Sequence, residues 1–126
     1  MASITYEASE AAEDRIREAT ILSSSARTTS GDTYSSPLDA SYFREGIFFL
    51  DVTNASGADA TMEVKIQTKD SLSDKWYDVL TFDFVTGEMS QARAVSHGLG
   101  RSLACKYTIE GTNPSFTFSV GAILKK

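Results

Sequence analysis

The sequence predicts an all-β domain, a single antiparallel β-sandwich of Ig-like or jelly-roll type with about seven strands, and three observations carry that prediction. From Gly46 onward the apolar residues recur with a period of two, which places alternate side chains on opposite faces of a strand. The segments that alternate are separated by short stretches of turn chemistry rather than by helical patterns. The chain has 126 residues, enough for one ordinary core and too few for a second.

The elements follow in order. Residues 1–20 carry Glu7, Glu10, Glu13, Asp14 and Glu18 against Arg15 and Arg17, a net of −3 (five minus two) out of the chain's −5. Ala8, Ala12, Ile16 and Ala19 fall at helical spacing, Thr5 suits a cap, and Glu13 and Arg17 are placed for an i,i+4 pair. An alanine stripe buries little area, so this acidic arm, helical by its spacing, is expected either to dock on something or to be disordered in the free protein. Residues 20–36 hold ten Ser or Thr in seventeen positions and read as a polar loop, with a first strand at Ile21–Ala26 and a turn at Pro37.

The strands then come in sequence. In Ile47–Thr53, Phe48, Leu50 and Val52 share a face, and in Ala60–Lys69 Met62, Val64 and Ile66 alternate with polar residues. In Lys75–Phe84, Trp76, Leu80, Phe82 and Phe84 share parity and are expected to face inward. A weaker strand is expected at Ser90–Ser96, a strong one through Leu103, Cys105, Tyr107 and Ile109, and a last one at Ser115–Leu124. Asn54–Gly57, Asp70–Asp74, Thr86–Glu88, His97–Gly100 and Gly111–Pro114 supply the expected turns. Two facing sheets would enclose a core about 10 Å thick. The boundary is expected at position 20, with the arm over 1–20 and the sandwich over 21–126.

Composition narrows the function. Twelve basic residues are scattered among seventeen acids, which argues against a dedicated nucleic-acid binder. A membrane-spanning helix needs about 20 apolar residues, and no such run occurs. The start Met1-Ala2-Ser3-Ile4-Thr5 lacks the basic and apolar pattern of a secretion signal, so a reducing compartment, or departure from it by a route other than secretion, is expected.

No residues assemble into a recognisable reaction centre. The single His97 lies in a Gly-rich turn and reads as a surface histidine, without a Gly-x-Ser-x-Gly elbow elsewhere. Cys105 shares parity with Leu103 and Tyr107 and reads as a buried thiol. One Cys and one His cannot supply a structural zinc site. Asp70–Asp74 lacks the glycine and the bidentate glutamate of a calcium loop. The paired glycines at 98 and 100 precede no helical pattern, which disfavours a phosphate cradle. No catalytic residue, metal or cofactor is therefore expected, and the chain is not read as an enzyme.

Several phrases together carry a resemblance. Phe48-Phe49-Leu50-Asp51-Val52-Thr53-Asn54-Ala55-Ser56-Gly57 is followed by Met62-Glu63-Val64-Lys65-Ile66-Gln67-Thr68-Lys69-Asp70, then Lys75-Trp76-Tyr77-Asp78 and Leu99-Gly100-Arg101. Tyr107-Thr108-Ile109-Glu110-Gly111-Thr112-Asn113-Pro114-Ser115-Phe116-Thr117-Phe118-Ser119-Val120 closes the series. Over about residues 46–122 this resembles a family of small β-sandwich structural proteins of tailed bacteriophage virions, of head-decoration or cement type. The resemblance implies a non-enzymatic protein on the capsid exterior, assembled in the bacterial cytoplasm. Its implied partners are the major capsid protein and copies of itself as a homotrimer, with no nucleic acid, membrane or small-molecule substrate. Residues 1–20 and the loop to Pro37 are the expected contact region, with Tyr6, Glu10, Glu13, Arg17, Arg27 and Tyr34 as contact residues. The long acidic arm departs from the family's pattern, which leaves a tail or head–tail connector component as an alternative. A glycan- or receptor-binding module is a further alternative.

Overall fold

The computed structural model describes residues 15–126, and the strands within them form one antiparallel sheet. The elements are β1 (Ile16–Arg27), β2 (Gly31–Asp32), β3 (Leu38–Asp39), β4 (Glu45–Asp70), β5 (Lys75–Thr81), β6 (Met89–Val95) and β7 (Ser102–Lys125). The main path runs β1-β7-β4-β5, while β2 and β3 pair with β7 and β6 pairs with β4. No helix lies between Ile16 and Lys126. The all-β, antiparallel, seven-stranded expectation holds.

The architecture rests on β4 and β7, which pair from Glu45↔Lys125 to Thr68↔Leu103. A straight strand of 26 residues would run about 85 Å at roughly 3.3 Å per residue. A domain of this size has a radius of gyration of about 14 Å, so the ladder must fold over. It does so at one level. Register shifts fall between Val52 and Asn54, Ser56 and Ala58, and Ala58 and Thr61. Opposite them, four residues have positive φ: Gly57 (112°) and Asp59 (53°) on β4, and Gly111 (126°) and Asn113 (49°) on β7.

Asn54–Gly57 and Gly111–Pro114 are therefore not turns between strands, as the sequence suggested. They are the matched bends of two long strands, and Ser56 faces Ser115 across the ladder. Two separately bonded sheets were expected; instead one sheet supplies both layers, because β4 and β7 pass through each. The first half contributes Phe48, Leu50 and Val52, and the second Met62, Val64 and Ile66, to one core with Phe116, Phe118, Val120, Leu103 and Cys105. Those inward faces agree with the predicted parity.

Three further expectations change. Residues 16–20 are the start of β1, not the end of a helix; Ile16 through Thr20 pair with Lys125 through Gly121. A short alanine-rich helix is marginal, whereas a ladder partner satisfies every second backbone group at once. The remainder of the helical expectation lies outside the described residues. Trp76 does not face inward. Between Ile66↔Leu80 and Gln67↔Asp78 the strand β5 carries the extra residue Val79, and a one-residue insertion flips every side chain beyond it. Trp76 thus lies opposite Lys69 on the wet face. Phe84 is 65% exposed, because Val85 exchanges both backbone hydrogen bonds with Met62 and takes the core position instead.

Candidate interaction surfaces

Three surfaces stand out once the fold is in place. The first is the outer face of the β1-β7-β4-β6 half. Ile47 lies between Ile123 and Ala94, and Phe49 between Gly121 and Ala92. Ile16 lines the same groove at its corner. Ile16, Ile47 and Phe49 all count as exposed, so they form a small apolar patch on a strand face that should be wet. The signal was present in the sequence: Ile47-Phe48-Phe49-Leu50 is apolar at both parities, which a strand wet on one face does not require.

The second surface is the outer face of the other half. Tyr34 stacks on Trp76 with ring centroids 4.7 Å apart and planes 12° from parallel. The Tyr34 hydroxyl donates to Gln67 Oε1. Gln67 Nε2 donates to Asp78 Oδ1 at 2.7 Å, and Lys65 Nζ donates to Asp78 Oδ2 at 3.0 Å. These two donors hold the Asp78 carboxyl below the usual carboxylate range, the Gln67 bond contributing most. The Asp78 bond raises the Lys65 ammonium in return, and burial pushes the Tyr34 phenol up. Tyr34 covers one face of the indole, so the pair fastens the segment after β2 onto the sheet.

The third surface is the end of the sheet where β1 and β4 begin and β7 finishes. Lys126 N–H donates to the Arg15 carbonyl and Arg44 N–H to the Lys125 carbonyl, each at a distance of about 3 Å. Beside Arg44 a shallow pocket is lined by Ser41, Phe43, Ser96, His97 and Arg101. Gly100 positions Arg101: its φ is +73°, and a Cβ there would sit 2.1 Å from Thr68 Oγ1. Asp39, whose carboxyl is lowered chiefly by hydrogen bonds from Ser41, also feels Arg17 and Arg101. Lys126 Nζ lies 5.8 Å from the centre of the Tyr42 ring.

The expected contact residues divide. Tyr6, Glu10 and Glu13 lie outside the described residues. Arg17 pairs with Leu124 at one end of β1, and Arg27 with Phe116 at the other, eight rows of β7 or about 26 Å along the ladder. Arg27 lies over Phe118 (5.2 Å) and Tyr107 (5.8 Å), capping the edge of the core. Tyr34 belongs to the polar network of the second surface. These three residues do not form one patch.

His97 is exposed and accepts or donates only to Ser96 Oγ at 3.0 Å. Cys105 is buried, and burial pushes its thiol up to about 11. Both agree with the sequence reading. Asp70 caps its own turn through Leu72 N–H and Ser73 Oγ. Among the described residues, no group of three or more His, Cys, Asp or Glu is placed to hold a metal.

No family model matches the chain, and no curated protein matches it in sequence. Among solved structures, the SPBc2 prophage-derived protein YomS is similar, with a TM-score of 0.54 at 10% identity over 88% of this chain and 93% of that one. A Bacillus endospore appendage, described as belonging to a family of disulfide-linked pili, is similar with a TM-score of 0.53 at 13% identity over 89% and 88%. At these identities the likeness concerns the fold. This chain has the architecture of those two proteins along nearly its whole length.

Proposed function

We propose that this chain is a non-enzymatic structural subunit of a bacteriophage virion, a capsid decoration protein that binds the outside of the head shell as a homotrimer. The observation that carries the reading is the fold likeness to a prophage-derived protein over 88% of the chain, joined to the ordered series of phrases over residues 46–122. The match to a pilus subunit supports the broader idea that this architecture suits repetitive assembly. Assembly function needs a rigid body and surfaces, and both are at hand: a single bent ladder around one core, and an apolar patch at Ile47 and Phe49.

In this reading the patch packs against a second copy within the trimer, and the residues ahead of β1 reach the shell or a neighbour. Many copies arranged by symmetry give avidity without strong single contacts. The test is reconstitution on heads that lack the protein. The intact chain should co-sediment with the heads at saturating stoichiometry, and a chain with Phe49→Asp should lose its trimer and bind heads weakly. Failure of the intact chain to bind heads, with capture on a glycan array instead, would transfer the assignment to a receptor-binding module.

A further inference from the structure

Charge is distributed unevenly along this molecule. Of the twelve Lys and Arg, six lie at the third surface: Arg15, Arg17, Arg44, Arg101, Lys125 and Lys126. His97 lines the same pocket as Arg44 and Arg101. The carboxylates among them are Asp39 and Glu45, the latter 3.6 Å from Lys125 Nζ, with Glu18 one row further in. Residues 1–14 are the opposite. They hold Glu7, Glu10, Glu13 and Asp14 with no Lys or Arg, so they carry −4 of the chain's −5.

Connectivity joins the two. Residues 1–14 are tethered at Arg15, which is hydrogen-bonded to Lys126 at the basic end itself. Arg44, Lys126 and Arg15 lie at the tips of neighbouring strands, so from Arg15 to Arg44 is two strand spacings, about 10 Å. His97 lies two residues beyond Val95, the partner of Gly46, one strand further on, about 15 Å away. Glu10 is five residues before Arg15, and five residues span up to about 17 Å. Every cation of the cluster is within reach of the leader's carboxylates. A tether this short also gives the leader an effective concentration near the millimolar range, above that of a second copy in dilute solution.

We propose that the basic end is a docking site for a carboxylate-rich peptide segment, and that its occupant in the isolated protein is the chain's own residues 1–14. Docked there, the leader neutralises the cluster. The self-contact requires no capsid, so it stands or falls separately from the virion reading.

Zero-length carbodiimide coupling of the full chain tests it, since this reagent joins carboxylates to lysine amines that touch. Glu13 and Asp14 directly precede Arg15, whose carbonyl already holds Lys126 N–H, so Glu7 and Glu10, further from that tether, are followed by mass spectrometry. The expected products join Glu7 or Glu10 to Lys125 or Lys126, and not to Lys65, Lys69, Lys75 or Lys106. An equal mixture of isotopically light and heavy protein should give products within one copy. Raising sodium chloride from about 0.02 M to 0.5 M should lower their yield at least about five-fold, as screening shortens the reach of each charge. Arg44→Glu with Arg101→Glu should lower it similarly, while Lys75→Glu leaves it unchanged. Coupling spread evenly over all lysines, products that join light to heavy chains, or a yield indifferent to salt would each overturn the proposal. The salt and isotope arms use the unaltered chain, so they decide the matter even where the double variant does not fold.

Discussion

Gly111→Ala probes the bend that makes one ladder into two layers. Gly111 has a φ of +126°, a region that L side chains rarely adopt. A Cβ built there lies 2.7 Å from Ala60 Cα, 3.0 Å from Ala60 N and 3.1 Å from the Ala58 carbonyl oxygen. All three obstacles are backbone atoms of the facing strand, so no side chain can rotate out of the way. The dihedral strain alone costs about 1–3 kcal/mol. Relief of the overlap requires β4 and β7 to separate at the bend, so the upper part of that range, about 3 kcal/mol, is the expected loss. With an unfolding entropy of about 2.1 cal/mol/K per residue, a 126-residue chain shifts its Tm by about 4 °C per kcal/mol. Thermal unfolding followed by circular dichroism should therefore show a Tm about 12 °C lower. Gly87→Ala is the control: nothing lies within 4 Å of its Cβ, and its Tm should stay within about 2 °C of the parent. A Gly111→Ala protein that melts within about 2 °C of the parent would refute the account of the bend.

Other expectations follow from the same structure. Cys105 should resist thiol reagents at pH 8 in the folded protein and react fully in denaturant, as its thiol is pushed up to about 11. Because the folded value exceeds the unfolded one, the folded state holds the proton more tightly. Stability is thus intact below about pH 9 and falls by about 2–3 kcal/mol as pH rises through 11, a loss that Cys105→Ala should lack in urea titrations. Tyr34→Ala removes a stacked ring and the hydroxyl on Gln67; a loss of about 1.5–2.5 kcal/mol and a red-shifted Trp76 emission are expected. Phe49→Asp should leave the Tm of dilute protein nearly unchanged yet abolish self-association in light scattering, because Phe49 lies on the outer face of the sheet.

Much of the fold was legible in the sequence, for a local reason. Where β4 and β7 alternate strictly, parity named Phe48, Leu50, Met62, Val64, Phe116 and Phe118 as the inward set, and all of them are buried. The bends were not legible, because Asn54–Gly57 and Gly111–Pro114 have the composition of turns. Whether a positive φ reverses a strand or merely bends it depends on the strand opposite. Trp76 was lost to the extra Val79, since a bulge leaves no mark in composition yet inverts parity beyond it. Residues 16–20 followed β7 rather than their own helical spacing. The basic end was invisible for a different reason: Arg17, Arg44, Arg101 and Lys126 are spread over 110 positions of sequence, and only the ladder brings them together (126 minus 17, counted inclusively).

Electron microscopy of phage heads reconstituted with this protein tests the proposed role as a building block most directly. The account predicts density for three copies seated on the outside of the head shell, with Ile47 and Phe49 turned toward a neighbouring copy and solvent kept from that face. Heads without such density, or copies held singly at the tail tip with that face open to solvent, would contradict it.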